Sequence, residues 1–311
     1  MPDAAARETY PTRRNIVSLA IVTGHVIFVL APIYLAASFR PTPILVLFWL
    51  WFGLSMHGLL NMMHECAHYH AFRGRRGSDL LGRWVLAPLM FADFDQYRLL
   101  HWAHHRDLGG HDDPKYSYSV DIRGYRLARF LLTCLIGAEA VRKFFYQQRS
   151  VKKSSSPLWI LRVLVFQSVF VVSLVGTAYW WAGEDLRTAL VHGATAYACV
   201  YAYGLMSLAL FVATLRSIAE HQAGPDDPIV AGRAALRNLK CGALARLIFG
   251  CYGFAEHATH HWQPALPYYH LRAATIDLAL NDAHFAPRLG YVSILMAQVA
   301  LTQPPPRLAL R

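Results

Sequence analysis

Imidazole is concentrated in three places in this chain. Two histidines stand in His64-Glu65-Cys66-Ala67-His68. Three stand in His101-Trp102-Ala103-His104-His105 and three in His257-Ala258-Thr259-His260-His261. A spacing of four puts His64 and His68 on one helix face. In a helix His101 shares a face with both His104 and His105, while those adjacent side chains diverge by about 100°. Adjacent histidines can therefore serve different metals. Imidazole suits iron, zinc, copper and nickel. Without metal, three packed imidazole-rich turns would bury unpaired ring nitrogens at about 1–3 kcal/mol each. One zinc takes about four ligands. Eight imidazoles, with His221 as a ninth, are too many for one metal and suit two.

Carboxylates flank the clusters: Glu65, Asp107, Asp112, Asp113, Glu220 and Glu256, with Asp93 and Asp95 just ahead of the second. Metal-bound histidines usually donate their other N–H to such groups. Glu65, Glu220 and Glu256 read as these partners, joined by Asp93, Asp112 and Asp113; Asp107 reads as solvated. Asn61 and His57 lie one and two turns before His64 on the same face, and either reach the site or serve helix packing. His25 reads as a packing residue. His111 and His270 fall outside the repeated spacing and are left out of the ligand set.

Long apolar runs must carry these residues. The run 16–38 gives ~35 Å of helix against ~30 Å of hydrocarbon, and its core is too long for a cleaved signal peptide. After the turn Phe39-Arg40-Pro41-Thr42-Pro43, a second span over residues 43–69 returns antiparallel to the first. It is ~40 Å long, so its end, with His64 and His68, projects beyond the lipid. A third span covers 158–181, with Trp180-Trp181 as interfacial anchors. After the acidic turn Ala182-Gly183-Glu184-Asp185, the fourth runs over 186–221, ~54 Å long, and carries His221 out of the membrane. The expectation is an all-α integral membrane protein: four transmembrane helices in two antiparallel pairs, one domain over 1–311, and a cytosolic helical cap from 70–156 and 222–302.

Within the cap, Leu80–Phe91 and Leu127–Phe145 read as interfacial amphipathic helices, and Cys241–Phe254 as a half-embedded helix too short to span. Lys152-Lys153-Ser154-Ser155-Ser156-Pro157 and Ala223–Pro228 read as turns, and Pro304-Pro305-Pro306 as an extended tail.

Composition agrees. Hydrophobic residues make up 55% of the 311 positions. Lys and Arg outnumber Asp and Glu by 30 to 19, a formal net charge of +11. No basic run is interleaved with aromatics in a nucleic-acid motif, so the excess reads as cytoplasmic loops facing anionic lipid headgroups. Residues 70–156 are the basic segment. They are placed in the cytosol together with Arg13-Arg14, both termini and the metal site, in an inner (cytoplasmic) membrane. The five scattered cysteines, without Cys-x-x-Cys, read as reduced thiols.

The three histidine boxes, with the continuation His261-Trp262-Gln263-Pro264-Ala265-Leu266-Pro267-Tyr268-Tyr269, resemble those of the membrane fatty acid desaturase superfamily over roughly residues 44–271. The resemblance implies a non-haem diiron centre, molecular oxygen as co-substrate, a hydrophobic acyl substrate, and electrons from a ferredoxin or cytochrome b5 type donor with its reductase. The implied ligands are His64, His68, His101, His104, His105, His257, His260 and His261. His221 corresponds to the extra histidine ahead of the third box, with Ser217 where family members often carry Asn. The implied chemistry is oxidation of an unactivated C–H bond, which no side-chain acid or base performs. A second hydrogen loss gives a double bond; oxygen rebound gives an alcohol. Desaturation is the preferred reading; hydroxylase, ketolase or acetylenase activity is the alternative.

Two rivals differ in class. His64-Glu65-x-x-His68 also fits a zinc protease with Glu65 as general base, which leaves the second and third clusters unexplained. A metal transporter would hold its ligands within the spans near the midplane, not at span ends.

Overall fold

The computed structural model describes residues 15–39, 42–109, 113–114, 123–142, 157–181, 183, 185–221 and 236–300. Among these residues there are helices and turns and no β-strand. Four helices are long and apolar enough to cross a membrane: α1 (Asn15–Ser38), α2 (Leu45–Ala67), α6 (Leu158–Trp181) and α7 (Leu186–His221). The shorter helices are α3 (Arg75–Leu81), α4 (Phe94–Asp107), α5 (Gly124–Leu135), α8 (Ala243–Ile248), α9 (His257–Trp262), α10 (Tyr268–Asn281) and α11 (Tyr291–Ala300). Asp112, His111, Arg13-Arg14, residues 152–156, Ala182, Glu184, Ala223–Pro228 and the Pro304–Pro306 tail lie outside the described residues.

One apolar core joins the long helices, with Val29 and Ile33 of α1, Phe52, Met56 and Leu59 of α2, Phe170 and Leu174 of α6, and Val200 and Tyr201 of α7. Burial of such side chains contributes about 25 cal/mol per Å² of apolar surface. Polar pins set the register. The Tyr201 hydroxyl donates to the Leu89 carbonyl (2.7 Å), and Gln167 donates to the Pro88 carbonyl (2.8 Å). The α3 chain is thereby tied to α6 and α7. It continues through a π-helical turn (Gly82–Leu86) to Ala87–Leu89, burying Leu86 and Leu89 and leaving Leu80 and Trp84 exposed. Trp180 and Trp181 stand exposed at the end of α6.

Helix boundaries depart from the sequence expectations at three places. α2 stops at Ala67, because Tyr69 adopts a left-handed backbone (φ 63°). The apolar stretch from Leu127 is interrupted after Leu135, where Gly137 takes φ 81°. The stretch from Cys241 forms only the short α8, then a tight segment (Cys251–Glu256) with Tyr252 at φ 56° and Gly253 at φ 76°. Left-handed backbone is cheap for glycine and costs a tyrosine roughly 1–2 kcal/mol.

Side chains from α1 and α2 grip that strained strap. The His57 Nδ1 donates to the Ile248 carbonyl (2.9 Å), and Asn61 donates to the Cys251 carbonyl (3.1 Å). His25 Nδ1 lies 2.6 Å from the Tyr252 hydroxyl. The His25 ring fits because Gly58 faces it, where a Cβ would collide with the ring. His25 is a packing residue as expected, and His57 and Asn61 take the packing role of the two open to them.

Candidate metal centre

Three helices and one helix end deliver the nine histidines. α2 carries His64, with His68 as its C-terminal cap; α4 carries His101, His104 and His105; α7 ends on His221; α9 carries the last three. α4 starts where Asp93 accepts the backbone N–H of Asp95 (3.0 Å) and Gln96 (3.3 Å), an N-cap that fixes the entry of the second box. Asp95 pairs with Arg83 at 2.7 Å. Arg98 ties α4 to α2, donating to the Cys66 carbonyl (3.1 Å) and to Asp79, with its guanidinium 4.2 Å from the Tyr69 ring centre. α9 is held from behind by an extended segment. Asn238 donates to the Thr259 hydroxyl (2.9 Å) and accepts the Thr259 N–H (3.1 Å), while Arg237 donates to the Ala219 carbonyl (2.8 Å) near the end of α7.

The imidazoles gather into two adjoining groups. In the first, His64, His68, His101, His105 and His260 each offer a nitrogen, all within 4.8 Å of one another. In the second, His104, His221 and His261 do the same, and Glu220, His221 and His257 form an overlapping set. The adjacent pairs split: His105 goes to the first group and His104 to the second, His260 to the first and His261 to the second. Most of these side chains are fully buried.

The nitrogen spacing fits metal ions. His68 Nε2 lies 2.6 Å from His101 Nε2, and His105 Nε2 lies 3.1 Å from both His101 Nε2 and His260 Nε2. In the second group His257 Nε2 and His221 Nε2 are 2.7 Å apart. Ligands at about 2.0–2.1 Å from a common ion are about 3 Å apart at right angles and about 4 Å apart when opposed. The His261 Nε2 is buried with no hydrogen-bond partner among the described residues. Burial, reinforced by His257 and its neighbours, holds His261 well below the usual imidazole pKa, so the ring is neutral and able to coordinate.

Carboxylates brace both groups. Asp113 accepts from His104 Nδ1 at 3.0 and 3.1 Å, which turns Nε2 toward the centre. Glu65 accepts from His64 Nδ1 (3.0 Å) and from the Tyr268 N–H (3.3 Å), joining the first box to the Pro-Tyr-Tyr turn after the third. Glu220 lies 3.7 Å from His257 Nδ1 and accepts from Arg216 and Tyr291, each at 3.0 Å. Glu256 departs from expectation: Arg246 donates to both its oxygens (2.9 and 3.1 Å), so its charge is spent away from the histidines. Asp107 pairs with the exposed Arg106. Arg98, Arg216, Arg237 and Asn238 carried no spacing signal. A narrow void lined by His64, Tyr252, Phe254, His257, His260 and Leu271 adjoins the centre.

These histidine clusters, carried by a bundle whose long helices are apolar enough to cross a membrane, belong to an oxidoreductase family. The fatty acid desaturase family model matches residues 41–288, so the chain belongs to the fatty acid desaturase family. Among curated relatives, an sn-1 oleoyl-lipid 12-desaturase of Anabaena variabilis is 21% identical over 276 residues, covering 80% of this chain and 72% of that protein. The sn-1 oleoyl-lipid 12-desaturase of Synechocystis sp. is 35% identical over 72 residues, 23% of this chain. The match spans only 20% of the Synechocystis protein's length.

Proposed function

We propose that the chain is a membrane-bound, oxygen-dependent fatty acid desaturase that uses two irons to place a C=C bond in a lipid acyl chain. The observation that carries this reading is the division of nine imidazoles into two adjoining groups, with each adjacent His-His pair split between them. A protease of the His-Glu-x-x-His type needs one such group, and there Glu65 would face a water; here it accepts from His64.

His64, His68, His101, His105 and His260 would hold one iron, and His104, His221, His257 and His261 the other. When bound, the iron pair supplies dioxygen reduction and removal of a hydrogen atom from an unactivated C–H bond. The protein's residues do the rest. Asp113 and Glu65 hold the protons of His104 and His64 on Nδ1, leaving Nε2 for coordination. Glu220, braced by Arg216, orients His257. The Tyr252–Phe254 strap lines the narrow void beside His64, His257 and His260. The reaction balances as acyl CH2–CH2 plus O2, two electrons and two protons giving CH=CH and two waters. The electrons come from a ferredoxin or cytochrome b5 type donor with its reductase. The single domain sits in an inner membrane as two antiparallel helix pairs, with the cap, both termini and the histidines in the cytosol, where the basic residues meet that donor.

Expression in a host of known lipid profile, with mass spectrometry of its acyl chains, tests the reading. New monounsaturated or diunsaturated chains are expected. Alcohol or ketone products would move the assignment to the hydroxylase and ketolase branch, and one zinc per chain with no lipid product would overturn it.

A further inference from the structure

Between the 239–246 segment and α10 lies a cleft of about 420 Å³. That is within the range of small-ligand sites, about 300–1,000 Å³. Charge and apolar surface are segregated within it. Arg272, Ile276 and Leu280 follow one another at i, i+4 and i+8, so one face of α10 presents a cation at one end and hydrocarbon at the other. Lys240 and Arg246 add positive charge from the facing wall. Among the described lining residues Glu256 is the one carboxylate, and Arg246 already pairs with both its oxygens. The surplus charge therefore belongs to Lys240 and Arg272, both exposed. The neighbouring elements are apolar outward: Leu244 and Leu247 on α8, and Val292 and Met296 on α11, are all more than half exposed. A soluble anion needs no such border, whereas a lipid does.

We infer that this cleft binds the phosphate of an anionic glycerolipid, with Lys240 and Arg272 on the phosphate and Ile276 and Leu280 along the start of its chain. Arg and Lys are suited to phosphate oxygens, and basic residues beside an apolar face select anionic headgroups. The cleft shares a wall with the metal centre. The Thr275 hydroxyl is 2.6 Å from that of Thr259 in the third box, and Glu256 directly precedes His257. The inference deepens the proposed lipid reading: the lipid held beside the third box is phosphate-bearing, not sugar-headed or neutral.

The test uses the full chain in neutral-lipid nanodiscs, metal-loaded and metal-stripped. Phosphatidylglycerol, a sugar-headed diacylglycerol of the same chains, and a soluble acyl phosphate ester are offered, and retained ligand per chain is read by native mass spectrometry. Selective retention of phosphatidylglycerol in both metal states is expected. The Lys240→Gln/Arg272→Gln variant should weaken it about 30-fold, with Arg272→Lys alone keeping most of it. Equal retention by the double variant overturns the inference, as does preference for the soluble ester. A photoreactive phosphatidylglycerol should crosslink the unmodified protein at residues 239–241 and 272–280; crosslinks elsewhere overturn the inference without relying on a variant that folds. Because binding is read without turnover, a desaturase reading that fails for want of product leaves this result to be judged on its own.

Discussion

The two imidazole groups share the second and third boxes but are supported differently. The first, with His64, His68, His101, His105 and His260, draws on α2, α4 and α9, and Glu65 accepts from His64 within it. Its shape comes from helix placement, above all from Arg98, which fastens α4 to the carbonyl end of α2. The second, with His104, His221, His257 and His261, takes in the end of α7 and rests on two acids, Asp113 and the Glu220–Arg216–Tyr291 set. One group should therefore respond to changes in helix docking, the other to changes in side-chain charge.

Removing metal acts on both groups at once and should have the largest effect. Treatment with a strong chelator should abolish product formation and lower the unfolding temperature. Anaerobic ferrous iron should restore both, with about two irons per chain by elemental analysis. Next come the single ligands. His68→Ala and His104→Ala should each abolish product while the protein still inserts, and each should lower the iron count from about two to about one. Spectra of the remaining iron should differ between the two variants; turnover retained in His104→Ala would break the ligand assignment.

The braces should separate the groups further. Asp113→Asn and Glu65→Gln should each weaken iron binding by about 10- to 100-fold, with activity recovered at excess iron. Competition against a chelator of known affinity measures this. Arg98→Gln should instead cost about 1.5–3 kcal/mol of stability through a lost charged hydrogen bond, disturbing the first group while the second keeps its iron. The smallest change should come from Tyr252→Phe, about 1 kcal/mol on denaturation, with iron content unaltered.

The large elements were legible in the sequence because four apolar runs of membrane length leave little choice of structure. The division of the boxes was legible for a similar reason: adjacent side chains on a helix point about 100° apart, so His104 and His105 have to part. The breaks after Leu135 and Ile248 were not. The stretch from Cys241 to Phe254 reads as continuous hydrocarbon, and nothing in it announces that Tyr252 joins Gly253 in left-handed backbone. Glu256 misled because its neighbour His257 lies on the helix while Glu256 turns outward to Arg246, a residue ten positions back. Arg98, Arg237 and Asn238 act across large sequence separations from segments without periodicity, and only the folded chain pairs them with the boxes.

The contact between His25 and Tyr252 ties residues 227 positions apart. During synthesis the first hydrophobic segment emerges long before the strap that receives its ring. Until then the His25 ring has the Ser55 backbone of the second segment as its partner, and Gly58 gives it a slot. Joining the two is thus a late step in assembly, and one that certifies the third box has arrived. A chain cut short before Tyr252 would expose an unfinished seam between the first two segments, a feature that membrane quality control could read.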